Sequence, residues 1–363
     1  MINMVITIYF KLSSIVFVFF LICFIISLNG IIDFPKNAYA HPVVIDSSPK
    51  QFESLEDSPD KVIVFFSEAI VLQYSKISVI DSEGNRLDDG VAENYNDDPS
   101  TITTNIKDEE LAQGTYTINT KVLSAVDGHV VDNSIVFSVG EAVSGLGEET
   151  TSISKSIFEL VSFDNSLSRV PGYIGQILII GTPFIFLWIR KPLSQFTYIR
   201  TQMNYIFVDA RKKLIKLIII SDVLVIFSVI ATAVAQALSI ENSVIEVFKT
   251  EFGEVLIIRL IISIILLIVA LIFYNKYKKS HNSINSNKGL FSIIILGLAI
   301  LFTNSLISHA AALEENDETL PIFLDYFHGI AASIWIGGLV FLAFILIPKI
   351  LQSKEKELNS INS

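Results

Sequence analysis

The chain has 363 residues, is 51% hydrophobic with a mean hydropathy of +0.57, and carries a formal net charge of −11. A composition this apolar excludes an ordinary soluble protein, and the acidic balance excludes nucleic acid as a partner. The single cysteine, Cys23, excludes a disulfide framework, and no G-x-x-x-x-G-K stretch is present to form a P-loop nucleotide site.

The first element is a secretory signal. Lys11 precedes an apolar run from Ile15 to Ile32, Pro35 ends it, and Ala38-Tyr39-Ala40 forms an A-x-A cleavage site. Residues 1–40 are therefore read as a signal peptide, and cleavage makes His41 the first residue of the mature chain. An N-terminal histidine offers its α-amine and a ring nitrogen from one residue, a bite that suits the tetragonal N and O preference of Cu(II). Pro42 has no backbone N–H, so no deprotonated amide competes as a ligand.

Residues 41–140 form the second element. They carry 18 acidic against 6 basic residues, a balance of −12 that draws cations. Short β-branched and aromatic runs recur at Lys61–Phe66, Lys76–Ile80, Gly114–Val122 and Asn133–Val139, separated by turn signals such as 81–85 and 96–99. This spacing predicts an all-β sandwich or Greek-key barrel. Asp127 and His129 stand two apart, which places both side chains on one face of an extended segment. With the two nitrogens of His41 they complete an N3O donor set for one Cu(II). Glu68 has two readings, a carboxylate that approaches this site and, ahead of it, a solvated strand-end carboxylate.

Residues 141–168 are polar and read as a linker with room for a short helix. The membrane domain, 169–350, holds five apolar stretches at 171–189, 214–238, 254–274, 289–312 and 321–348. Each is long enough to cross about 30 Å of hydrocarbon as a helix. Basic residues gather after the first (Arg190, Lys191, Arg200, Arg211, Lys212, Lys213, Lys216), after the third (Lys276, Lys278, Lys279, Lys288) and at the C-terminal end (Lys349, then Lys354 and Lys356 of the tail, 351–363); the opposite loops hold only Lys249. The positive-inside rule then places the C-terminus in the cytoplasm and the β domain outside a multi-pass cell-membrane protein. Within the spans, Asp222, Gln236, Arg259, His309, Asp325 and His328 are polar residues at costly positions. Asp222 and Arg259 are read as members of structural pairs. His309, Asp325 and His328 are read as a copper path near the outer end, with Asp325, His328 and Trp335 on one helical face. Gly337-Gly338 permits close helix packing, and His281 lies in a basic loop.

Residues 41–139 resemble the CopC family of periplasmic copper-binding proteins. The likeness rests on His41-Pro, Ser48-Pro49, Val64–Glu68, Gly114-Thr-Tyr116, Ser124–His129 and Ile135–Val139. It implies a cupredoxin-like (Ig-like) β barrel and a Cu(II) site at His41, Asp127 and His129. A methionine-rich Cu(I) site is expected to be missing, since no Met lies between Met4 and Met203. Thr120 stands where an aromatic residue is common in the family. The membrane half resembles the CopD family in Thr250–Gly253 with Arg259, Ser308-His-Ala310, Asp325-x-x-His328 and Trp335–Gly338. CopD regions usually carry further spans after this last motif.

Together these features predict a copper-homeostasis protein: an exported all-β Greek-key domain captures Cu(II), and an all-α bundle of about five helices receives it. The expected partners are the copper ion, the bilayer, and an external copper donor or reductase. No enzymatic activity is expected, because an anionic Asp127 would fill the equatorial position that oxygen needs in copper oxidases. The rival readings are a membrane-anchored copper store without transport, and haem held by His309 and His328.

Overall fold

The β-branched runs take up strands, and the long apolar stretches take up helices, in a computed structural model that describes residues 42–107, 110–140, 163–193, 200–279, 287–308 and 319–352. The signal peptide, His41, His281, His309, residues 141–162 of the linker and the tail beyond 352 lie outside the described residues.

Seven strands form the β domain: β1 (Val44–Ser48), β2 (Ser54–Leu55), β3 (Lys61–Phe66), β4 (Lys76–Ile80), β5 (Thr101–Asn105), β6 (Gly114–Leu123) and β7 (Val130–Val139). One sheet has the order β1-β3-β5 and the other β2-β7-β6-β4, with β2 parallel to β7 and the other pairs antiparallel. Neighbours in the first sheet are not consecutive in the chain, so connections pass between sheets. Val62, Val64 and Phe66 of β3 meet Ile77 and Val79 of β4, Ile118 of β6 and Phe137 of β7 in one buried cluster. Tyr116 and Phe137 pack against each other within it, their rings tilted by 31° and their centroids 5.6 Å apart. β5 is largely threonine yet buried. Its polarity is satisfied locally: Thr103 Oγ1 donates to the Val62 carbonyl at 2.8 Å.

The helical part contains α1 (Phe163–Leu193), α2 (Arg200–Ser239), a short α3 (Val244–Val247), α4 (Glu251–Lys279), α5 (Lys288–Ser305) and α6 (Leu320–Gln352). Helix α1 begins inside the segment read as linker. Five stretches are long and apolar enough to cross a membrane: Leu167–Arg190, Ile206–Ser239, Glu251–Tyr277, Lys288–Ser305 and Leu320–Gln352. Phe186, Phe207 and Phe341 pack edge to face in the bundle core, while Phe227, Ile268 and Phe344 point outward, as residues facing lipid do.

Helices α1 and α6 cross on glycine. A Cβ built on Gly181 would fall onto the Ser333 carbonyl, and one on Gly337 would stand 2.6 Å from the Ile177 carbonyl oxygen. Here α6 widens into π-type turns at Ser333–Gly337 and Phe341–Leu346. The Gly337-Gly338 pair therefore serves close packing, as the sequence predicts.

The β domain rests on one end of the bundle. Lys76 and Lys121 both donate to the Glu241 carboxylate, at 2.9 and 2.7 Å, and the Tyr74 hydroxyl donates to Glu246 Oε2 at 2.8 Å. Leu123 shares an apolar cluster with Val247, Phe252 and Ile307. Hydrogen bonds from Lys121 and then Lys76 hold the Glu241 carboxyl down at about 2, against an ordinary 4.5. A depressed carboxyl stabilises docking above pH 4.5, and that contribution is lost as pH falls through about 2. Glu241→Gln is therefore expected to lower the melting temperature of the full chain at pH 7. The difference should shrink to nothing toward pH 2, and high salt should also reduce it, because the pair is exposed. Thermal melts of both proteins across pH test this.

Candidate metal centre

The β6–β7 hairpin closes through Ser124–His129, the segment that carries Asp127 and His129. Ser124 Oγ accepts from the N–H groups of Val126 and Asp127, each at 3.2 Å, and Ser124 N–H donates to the His129 carbonyl at 2.8 Å. Gly128 sits at φ +71°, a left-handed conformation that costs little only for glycine. The segment is thus a tight turn, not the extended stretch that its two-residue spacing implies. The reason is local: Ser, Asp and Gly supply side-chain bonds and a positive φ that compete with strand geometry.

The two side chains meet all the same. Asp127 Oδ1 accepts from the His129 backbone N–H at 2.9 Å, which fixes the carboxylate, and Oδ2 lies 2.7 Å from His129 Nδ1. This is a hydrogen-bond distance. It also fits two adjacent donors on one tetragonal ion, since bonds of about 2.0 Å at right angles place the donors about 2.8 Å apart. Asp127 is fully buried and the His129 side chain is 13% exposed. A carboxylate buried to this degree is costly to keep charged without a hydrogen-bonding or cationic partner.

The start of the described chain runs close by. Val43 N–H donates to Ser67 Oγ at 3.0 Å, Ser67 N–H donates to the Val43 carbonyl at 2.9 Å, and Ala125 N–H donates to the Ala69 carbonyl at 3.0 Å. The segment after His41, the Ser67–Ala69 segment and the Asp127 turn are therefore successive hydrogen-bonded neighbours. Glu68, in the middle segment, is 2% exposed, which corrects its reading as a solvated carboxylate. Among the described residues no group of three histidine, cysteine or acidic side chains gathers to hold a metal; Asp127 and His129 stand together as a pair.

The turn lies against the helices. A Cβ on Gly128 would stand 2.9 Å from Phe252 Cγ, and Arg169 Nη2 donates to the Asp127 carbonyl at 3.2 Å. The Arg169 guanidinium lies over the Phe252 ring at 5.5 Å. The sequence alone assigns no role to either residue. Phe252 is one apolar position within Thr250–Gly253, and Arg169 stands at the boundary between linker and first span. Beneath them Arg169, Tyr173, Gln176, Ser228, Arg259 and Asn304 line a polar chamber of about 20 Å³, room for about one water.

Arg259 donates to Thr303 Oγ1 at 2.8 Å and to the Thr303 carbonyl at 3.0 Å. Asp222 is fully buried, and its carboxylate oxygens have no hydrogen-bond partner among the described residues. The expected structural pairing thus exists for Arg259, with Thr303, and is not seen for Asp222 among these residues. Asp325 is half-buried on α6 and His328, one turn on, is exposed; Trp335 is 63% exposed. Neither Asp325 nor His328 lines the chamber.

Residues 44–140 match the CopC domain family, and residues 165–320 match the copper resistance protein D-like, N-terminal domain family. "Copper transport protein CutJ" of Bacillus subtilis (strain 168) is 26% identical over 332 residues, which are 89% of this chain and 57% of that protein. The chain thus spans little more than half the length of this relative. Among solved structures, CopC from Methylosinus trichosporium OB3b is 34% identical, covering 27% of this chain and 93% of its own, with a TM-score of 0.25. PcoC, a methionine rich copper resistance protein from Escherichia coli, is 23% identical, covering 28% and 99%, with a TM-score of 0.24. The chain thus joins a CopC domain to a copper resistance protein D-like N-terminal domain that takes in the first four of its five apolar helices, the arrangement of a CopC–CopD fusion.

Proposed function

We propose that this protein captures Cu(II) on the extracytoplasmic side through His41, Asp127 and His129, and passes copper to or across the membrane through its helical bundle. The observation that carries the reading is the 2.7 Å approach of Asp127 Oδ2 to His129 Nδ1, in a turn that rests directly on α1 and α4. Two donors come together where the β domain meets the bundle, and the chain after His41 runs in the neighbouring segment. Copper is the cargo, and the name of the Bacillus subtilis relative accords with transport. The basic residues of α2 and α4 lie at the end away from the β domain, so an external β domain leaves the C-terminus in the cytoplasm. In this reading His309, Asp325 and His328 form the membrane path, and a separate reductant supplies Cu(I) where it is needed.

A second reading has its own support. Arg169 and Arg259 line the chamber under the site, and two guanidinium groups oppose entry of a bare cation. That arrangement favours a membrane-anchored copper store. Copper accumulation in cells separates the two. Cells expressing the parent chain should exceed an empty-vector control several-fold, and His328→Ala should lower accumulation, with His309→Ala acting in the same direction more weakly. A parent chain that never exceeds the control overturns transport in favour of storage. Variants that accumulate like the parent move the path away from these histidines.

A further inference from the structure

At the end of the bundle away from the β domain, α2 and α4 frame a cavity of about 280 Å³ lined by Asp209, Lys212, Lys213, Lys216, Tyr274 and Tyr277. Its charge is one-sided. Asp209, the acidic residue of the lining, is in an ion pair with Lys349 of α6, which leaves three ammonium groups in excess. Lys213 and Lys216 are exposed and Lys212 is half-buried. The Lys216 ammonium lies over the Tyr274 ring at 5.9 Å.

More positive charge stands behind the wall. Arg211 is 1% exposed, is flanked by the Phe186 and Tyr277 rings at 5.2 and 5.3 Å, and reaches the Tyr277 hydroxyl at 3.3 Å. Arg211 and Arg190 both donate to the Asn287 carboxamide oxygen, at 2.6 and 2.8 Å. Ammonium and guanidinium groups thus converge on a tyrosine-walled cavity where the apolar stretches of α2 and α4 end. One to two turns toward the bundle centre the face of α2 that carries Lys213 and Lys216 becomes apolar, with Ile220 59% and Val223 50% exposed.

We propose that this cavity binds the headgroup of an anionic phospholipid in the leaflet opposite the β domain. The lysine ammonium groups take the phosphate oxygens, the tyrosine hydroxyls sit at the level of the glycerol esters, and the acyl chains run along Ile220 and Val223. Charge selects an anion, and depth selects its source. The site lies at the hydrocarbon edge, where tyrosine and lysine are favoured and where basic pockets between helices hold anionic headgroups. A free phosphate ion would make no use of the apolar surface that continues from the cavity.

The test is native mass spectrometry of the full-length protein, released from nanodiscs that contain phosphatidylglycerol and phosphatidylcholine in equal amounts. The parent should retain phosphatidylglycerol selectively. Lys213→Gln alone should lower retention about five-fold, in line with the usual worth of one basic residue at a membrane surface. Lys212→Gln, Lys213→Gln and Lys216→Gln together should lower it at least about ten-fold. Lys276→Gln, an exposed α4 position outside the cavity, should leave retention unchanged and controls for general loss of surface charge. Equal retention by the parent and the triple variant overturns the proposal, as does equal retention of phosphatidylcholine. Displacement of the lipid by millimolar inorganic phosphate also overturns it, in favour of a simple anion site. Since the substituted side chains reach solvent, the triple variant should elute and melt like the parent. If it does not, retention by Lys213→Gln decides: a five-fold loss supports the proposal and parent-like retention overturns it.

Discussion

Asp127→Ala is expected to weaken Cu(II) binding by at least about 100-fold and to change the Cu(II) EPR spectrum. Substituting a residue that only orients a metal ligand typically costs 10–100-fold, so loss of an anionic ligand should cost more. The geometry supports this size of effect, because Asp127 Oδ2 stands 2.7 Å from His129 Nδ1 on a fully buried carboxylate. His129→Ala should weaken copper binding comparably, and it should also destabilise the copper-free protein by about 2–3 kcal/mol, since it strips a buried carboxylate of its imidazole. Asp127→Ala removes the buried charge itself and should cost less. The two variants thus differ in copper-free stability while agreeing in lost affinity. One further residue ahead of His41 should weaken binding in the same way, by turning the α-amine into an amide. A purely structural Asp127–His129 pair predicts the opposite pattern, with stability changed and affinity and spectrum untouched. Copper titration, EPR and chemical unfolding of the same samples decide between them.

Gly181→Leu is expected to remove most folded protein from the membrane. The position a Cβ would take on Gly181 is already filled by the Ser333 carbonyl, with Gly337 Cα 2.9 Å away. Both obstacles are backbone, so no side-chain rotation relieves them, and the two helices must separate. Separation would undo the contacts of Phe186 with Phe341 in the bundle core, where overpacking costs at least about 1–3 kcal/mol. Gly84→Ala is the control. Gly84 has a positive φ, +88°, and nothing lies within 4 Å of its Cβ position, so the cost is backbone strain alone, about 1 kcal/mol. Yield and melting temperature in detergent measure both. Parent-like yield and melting for Gly181→Leu would mean that the two helices do not cross here.

The strands β3, β4, β6 and β7 and the five apolar spans were legible because their evidence is local. A β-branched run or a span-length apolar stretch declares itself within its own window. β5 was not, because Thr101-Ile-Thr-Thr-Asn105 reads as polar until Thr103 is seen donating to the Val62 carbonyl. The pairing of Asp127 with His129 follows from their spacing for a reason that does not hold: the segment turns, and Oδ1 and Oδ2 reach two different groups of His129. What lay beyond reach was the floor under that turn. Arg169 and Phe252 are 42 and 125 residues from Asp127, and no periodicity links positions so far apart. The burial of Glu68, 2% exposed, was likewise not legible, since a glutamate at the end of a strand run reads as solvated.

The contact of Gly128 with Phe252, and of the Asp127 carbonyl with Arg169, ties the β6–β7 turn to the first two turns of α1 and the first turn of α4. An ion that clamps Asp127 and His129 also stiffens the surface on which those helices begin. Thermodynamic reciprocity then fixes a relation among quantities that would otherwise look unrelated. The ratio of copper affinities between the docked and the detached β domain must equal the ratio of docking constants with and without copper. Weakening the Glu241 clamp is therefore also a way to retune the affinity of a metal site that Glu241 does not touch.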